Sequence, residues 1–176
     1  MQIPVPRVPR QPAPMRAETD ARLTAELASV VAGARRRALR DGDRQVDTAH
    51  LLHSLMEADA EVRGVFDGAG QVARVLGYLV QRSIGYGLRW QGSVEGSGRV
   101  PMIRDTEVAG WSPSASAAME GALERAARRG EPRATGLDLL GAIAADRDCR
   151  AAEVLERAGV DPAWLAGRIG ELSQQV

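Results

Sequence analysis

Residues 33–55 read GARRRALRDGDRQVDTAHLLHSL, and residues 121–143 read GALERAARRGEPRATGLDLLGAI. Shifted by 88 positions, the first stretch falls on the second without a gap. Gly33 meets Gly121, Ala34 meets Ala122, Arg37 meets Arg125 and Ala38 meets Ala126. Further on, Arg40 meets Arg128, Gly42 meets Gly130, and Leu51-Leu52 meets Leu139-Leu140. Ala and Arg matches carry little weight in a chain rich in both. The Gly42/Gly130 and Leu-Leu matches carry more, because each belongs at a defined place, a helix stop and the apolar face of the next helix. One extra residue in the second copy continues the match, with Val65 on Val154 and Gly70 on Gly159. A helical unit that buries its face against a second copy of itself is the usual reason for such a duplication.

Outward from this core, each copy reads as four helices. The first spans about Ala17 to Arg40, with Leu23, Leu27, Val30, Val31, Ala34 and Ala38 recurring at three- and four-residue steps. Arg35, Arg36, Arg37 and Arg40 crowd its end, where cations suit the helix dipole, and Gly42 suits a left-handed stop. On a helix the three consecutive arginines point in different directions, so they read as a solvated helix end rather than a phosphate site. Asp47 or Thr48 caps a second helix carrying Leu51, Leu52, Leu55 and Met56. A third holds Val62, Val65 and Phe66, and a fourth Val72, Val75, Leu76, Leu79 and Val80.

In the second copy Ser112-Pro113 opens a helix with Ala115, Ala118, Met119, Ala122, Leu123 and Ala126 on one stripe. Thr135 opens the next, with Leu139, Leu140 and Ile143. Val154 and Leu155 follow, and a last helix carries Trp164, Leu165, Ile169 and Leu172. The copies span 17–84 and 111–173. Residues 1–16, with prolines at 4, 6, 9, 12 and 14, read as a disordered tail that cannot form a helix. Residues 85–110, with glycines at 85, 87, 92, 96, 98 and 110, read as a linker or a small hairpin.

The composition narrows the function. The chain has 176 residues, with 23 basic and 23 acidic side chains and no Lys, so no global field draws it to nucleic acid or membrane. No run approaches the roughly 20 apolar residues that span a bilayer. Cys149 is the only cysteine, which excludes an internal disulfide and points to the cytoplasm. Arg147 and Arg150 flank it, but no nearby His offers a base, so it reads as a passive thiol. His50 and His53 stand three apart on one helix, with Asp47 as a third candidate ligand. Without further ligands this is a weak metal signal. His50 reads as structural, His53 as solvent-facing, and no cofactor, metal or catalytic residue is expected.

The duplicated pattern resembles the N-terminal domain of the Clp AAA+ unfoldases, the ClpC/ClpA type above all. Each half of that domain has an aromatic–Thr–Pro/Glu helix start, an Ala-rich helix ending in Gly, G-T-E-H-L-L-x-x-L, and V-L-x-x-x-G-V. Here the first copy keeps Leu23-Thr24, Ala34, Ala38, Gly42 and Thr48-Ala49-His50-Leu51-Leu52-His53-Ser54-Leu55. The second keeps Trp111-Ser112-Pro113, Gly130, Leu139-Leu140, Ile143 and Val154-Leu155-Glu156-Arg157-Ala158-Gly159-Val160. The resemblance implies an all-α globule of two tandem four-helix repeats related by a pseudo-twofold axis. It also implies a non-catalytic module that binds substrates, adaptor proteins and unfolded segments for an ATPase ring. In that family some members recognise phosphoarginine, and cyclic-peptide antibiotics target the domain in actinobacteria.

Two departures sharpen this expectation. No G-x-x-x-x-G-K-[ST] phosphate loop is present, so the chain reads as a free-standing domain or a piece of something longer. In the family, phosphoarginine sites pair a helix-start Thr with the Glu of G-T-E-H. Thr24 and Ser112 keep the hydroxyls, but the Glu positions hold Ala49 and Leu137. A guanidinium needs a carboxylate partner, so phosphoarginine binding is expected to be weak or absent. The expected contact surface is Trp111, Ser112, Ala115, Met119 and Glu120, with Thr24, Leu27 and Val31 as its counterparts in the first copy. Trp111 is the anchor, or alternatively a staple for the linker. The expected partners are a Clp unfoldase, its adaptors or substrates, and cyclic peptides. The competing reading is a transcription-linked helical regulator touching DNA through its arginines, against which zero net charge and the lack of a helix-turn-helix count.

Overall fold

The computed structural model describes residues 19–43, 45–84, 94–96 and 110–175. The proline-rich segment 1–16 and most of the 85–110 linker lie outside the described residues. A helical turn over 19–21 leads into eight helices. They are α1 (Ala25–Arg40), α2 (Thr48–Ala58), α3 (Ala60–Val65), α4 (Gly68–Ile84), α5 (Pro113–Arg128), α6 (Gly136–Ala145), α7 (Arg150–Arg157) and α8 (Pro162–Gln174). No strand occurs among the described residues beyond two isolated bridges.

Local chemistry sets the helix starts, and it does so twice. The Thr24 hydroxyl accepts from the Leu27 amide at 3.2 Å, and the Ser112 hydroxyl from the Ala115 amide at 3.0 Å. Asp47, not Thr48, caps α2 in a reciprocal box with His50, and Thr135 caps α6 in the same box with Asp138. All four pairs obey the 88-residue offset. So do the stops, with Gly42 at φ +71° and Gly130 at φ +73°. The correspondence Gly70/Gly159 fails, however. Gly159 has φ +81°, whereas Gly70 is an ordinary residue inside α4, and the left-handed glycine of the first copy is Gly68 at φ +80°.

The expected single helix from Ala17 to Arg40 is interrupted at Leu23–Thr24. The reason is tertiary: Leu23 pairs with Ala134 and Trp111 pairs with Val46, both in parallel sense. The Thr24 amide donates to the Ala134 carbonyl at 3.0 Å, and the Ala134 amide to the Arg22 carbonyl at 2.8 Å. The Ser112 amide donates to the Val46 carbonyl at 2.9 Å, and the Val46 amide to that of Gly110. Each copy thus lays its helix-start backbone against the α1–α2 or α5–α6 turn of the other, and the 88-residue offset interchanges the two pairings.

α1 packs on α2, and α5 on α6, through glycines that permit close approach. A Cβ on Gly33 would stand 2.6 Å from the Ser54 hydroxyl, and one on Gly121 would stand 3.0 Å from the Ala142 Cβ. The core runs continuously through both copies, from Leu27, Leu51, Leu52 and Leu55 to Leu139, Leu140, Ile143 and Leu155. Val80, expected on the apolar face of the fourth helix, is half exposed, while Val75 and Leu79 are buried. No helix among the described residues is long and apolar enough to cross a membrane.

Candidate functional site

Because α1 and α5 are pseudo-symmetry mates, the space between them lies on the pseudo-twofold axis. An open-sided cavity of about 390 Å³ occupies it. Its lining comes in offset pairs: Leu23 with Trp111, Val31 with Met119, and Ala28 with Ser116. The charges break the symmetry. Ala32 of α1 has Glu120 as its offset mate and Arg35 has Leu123, and the exposed Asp20 and Arg22 add two more charges. The Arg35 guanidinium lies over the Trp111 ring, 5.5 Å from its centroid. The Trp111 indole N–H is buried and has no hydrogen-bond partner among the described residues.

The expected contact residues divide into three groups. Trp111, Met119, Glu120 and Val31 line the cavity. Leu27 and Ala115 are fully buried, so they form the support beneath it and offer no surface. Thr24 and Ser112 act as helix caps at its edge. The Trp111 backbone pairs with Val46, and the residue lines the cavity. The sequence reading missed Arg35, whose approach to Trp111 crosses between the copies.

It also missed Glu95. This linker residue is only 5% exposed. Its carboxylate accepts from the Thr48 amide at 2.9 Å, the Ser112 hydroxyl at 2.7 Å and the Arg150 amide at 2.6 Å, and from the Thr48 hydroxyl. The starts of α2, α5 and α7 therefore converge on one anion supplied by the linker, as the free N–H groups of helix starts favour. The next residue, Gly96, has φ +75°, and a Cβ there would meet the Ser114 hydroxyl at 2.5 Å. Neither repeat supplies a Glu at Ala49 or Leu137, yet a carboxylate reaches Ser112 all the same. Nothing in GSVEGSG distinguishes Glu95 from a solvated linker acid.

The histidines behave differently from each other. His50 is buried; its Nδ1 accepts from the Asp47 amide at 3.0 Å, and its Nε2 lies 2.7 Å from Asp43. Asp41, Asp43 and His50 offer ligand atoms within 4.8 Å of one another, but both His50 ring nitrogens are engaged by the protein. His53, expected to face solvent, is instead only 3% exposed, with Nε2 3.2 Å from Glu57. It sits on the side of α2 that α1 covers. Burial, reinforced by the Arg37 charge and opposed by that of Glu57, brings its pKa down to about 4. Cys149 caps α7 with its sulfur, 3.4 Å from the Ala152 amide, and burial pushes its thiol up to about 12. Such a thiol is protonated at neutral pH and poorly nucleophilic.

No protein-family model matches the chain, and no curated protein matches it by sequence. Solved structures do. The N-terminal domain of the caseinolytic protease associated chaperone ClpD from Arabidopsis thaliana superposes with TM-score 0.60 at 16% identity, covering 87% of this chain and 95% of that one. A chain from a malarial protein secretion system superposes with TM-score 0.64 at 11% identity, covering 88% of this chain and 97% of its own. Over most of its length the chain therefore has the fold of the Clp N-terminal domain.

Proposed function

We propose that the chain is a non-catalytic protein- and peptide-binding module whose ligand enters the cavity between α1 and α5. The observation that carries this reading is the cavity itself: about 390 Å³, lined by Trp111, Leu23, Val31, Met119 and Leu123 together with a few charged side chains. A volume in that range accommodates a few side chains or part of a compact cyclic peptide. Arg35 and Glu120 offer opposite charges from the two helices that wall the cavity. The module would act by holding ligands of a Clp unfoldase, namely its adaptors, substrates or cyclic peptides. Phosphoarginine is a poor candidate. The Ser112 hydroxyl is already bonded to Glu95 and to the Ala115 amide, and Ala49 and Leu137 offer no carboxylate.

The test is titration of a fluorescent Clp-directed cyclic peptide, beside a pull-down with a Clp unfoldase. Trp111→Ala and Met119→Arg are expected to weaken peptide binding at least about tenfold, roughly 1.4 kcal/mol. Met119→Arg serves as the second variant should Trp111→Ala disturb the fold. Failure of peptide and unfoldase alike to bind the parent chain would overturn the reading. Micromolar phosphoarginine affinity in calorimetry would overturn the exclusion.

A further inference from the structure

A second concavity, of about 320 Å³, lies on the far side of α1, where that helix packs on α2. It is lined by Gly33, Arg36, Arg37, Arg40, Ser54 and Glu57. Three guanidinium groups thus face one carboxylate in a chain whose net charge is zero. Arg37 pairs with Glu57. Arg36 and Arg40 are exposed, and no carboxylate among the described residues lies within ion-pair distance of either. The Arg36 Nη2 lies 3.7 Å from where a Gly33 side chain would begin, so its guanidinium folds back over the α1–α2 contact. The Ser54 hydroxyl donates to the Val30 carbonyl at 2.6 Å, leaving the arginines as the donors available to a guest.

The second copy provides an internal control. The 88-residue offset carries Arg36, Arg37, Arg40, Ser54 and Glu57 onto Glu124, Arg125, Arg128, Ala142 and Ala145. There Arg128 pairs with Glu124 at 3.8 Å, and Arg125 lies over Gly141. The fold accordingly does not require the cluster. The second copy carries a surplus of one positive charge, with one arginine on Glu124, while the first carries a surplus of two in a concave site.

We propose that the Arg36–Arg37–Arg40 cleft binds a phosphate monoester carried on a protein or peptide. A phosphate dianion matches the surplus, and its three terminal oxygens match the planar donor pairs of guanidinium groups. Duplex nucleic acid fits less well, because it calls for an extended positive track rather than one local surplus. The cleft lies apart from the α1–α5 cavity and shares no lining residue with it, so either site can fail independently of the other.

Fluorescence anisotropy with a labelled peptide bearing one phosphoserine tests this, with its unphosphorylated twin, inorganic phosphate and a short DNA duplex as comparison ligands. The phosphopeptide is expected to bind at least about tenfold tighter than its twin. Arg36→Glu with Arg40→Glu should abolish that difference, while Arg128→Glu in the second copy leaves it unchanged; circular dichroism checks that each variant is folded. Competition by inorganic phosphate would show that the phosphate group alone suffices, and its absence that the peptide carrier contributes; both outcomes support the site. Equal binding of twin and phosphopeptide, insensitivity to the double substitution, or tighter binding of the duplex would each overturn it.

Discussion

Arg150 of α7 donates to the Asp47 carboxylate at 2.9 Å, across the boundary between the two copies. The same carboxylate oxygen takes a second guanidinium from Arg82 of α4, while the other oxygen accepts the His50 amide at 2.9 Å. Asp47 is fully buried. A helix cap has thus become the centre of the interface between the repeats. Burial works to raise the Asp47 pKa, but hydrogen bonding with His50 and the Arg82 charge outweigh it and hold the carboxyl well below its usual range.

Asp47→Asn keeps the shape but removes the buried carboxylate charge that Arg82 and Arg150 share, so it should destabilise the fold by about 3–5 kcal/mol. Because the folded carboxyl titrates below the unfolded one, the stabilisation is present above about pH 4 and is lost as pH falls through the folded value. Urea denaturation at pH 7 and pH 3 checks this. The acid sensitivity of the parent should be reduced in the variant.

His53 predicts a separate window. Its folded pKa of about 4 lies below the ordinary 6.5. Between these values the unfolded chain binds a proton that the folded chain resists, so stability falls as pH drops from 6.5 towards 4. His53→Gln should flatten this limb of the stability profile. Thermal melts at pH 7.0, 6.0 and 5.0 measure it, and an unchanged slope in the variant would contradict the buried neutral imidazole.

Gly33→Ala forces a methyl to within 2.6 Å of the Ser54 hydroxyl, whose bond to the Val30 carbonyl must then shift. The expected cost is roughly 1–3 kcal/mol. Ser54→Ala removes the colliding oxygen, so the double variant should recover part of that loss. At the symmetry-related site, Gly121→Ala meets the Ala142 Cβ at 3.0 Å and should cost less. Chemical denaturation of the four variants decides the order.

Glu95→Ala deletes the acceptor shared by Thr48, Ser112 and Arg150. Local opening at the starts of α2 and α7 should follow, read as amide hydrogen exchange at Thr48 and Arg150 faster by about tenfold or more. Amides inside α8, whose start receives no bond from Glu95, serve as the reference.

The duplication was legible because both copies repeat residues whose roles are local. Thr24 and Ser112 cap helices, Gly42 and Gly130 turn left-handed, and Gly33 and Gly121 let helices approach. The cavity was partly legible through Trp111, Met119, Glu120 and Val31, since equivalent positions on paired helices must face one axis. Leu27 and Ala115 were placed on that surface because helical spacing finds the right face but not the depth at which the partner helix closes over it.

By itself, then, the sequence determined the helices, most of their starts and stops, and the shared pattern of the two halves, because propensity, capping and periodicity act over a few residues. Tertiary structure alone decided what crosses between segments. It broke the first helix at Leu23 to pair with Ala134, and it buried His53 under α1. It also brought Arg35 over Trp111, and led Glu95 from the linker to three helix starts. It further sent consecutive arginines of α1 to opposite sides, Arg35 to one cavity and Arg36 and Arg37 together to another. Those outcomes depend on which surfaces meet when the copies fold together, and no local pattern in the chain encodes them.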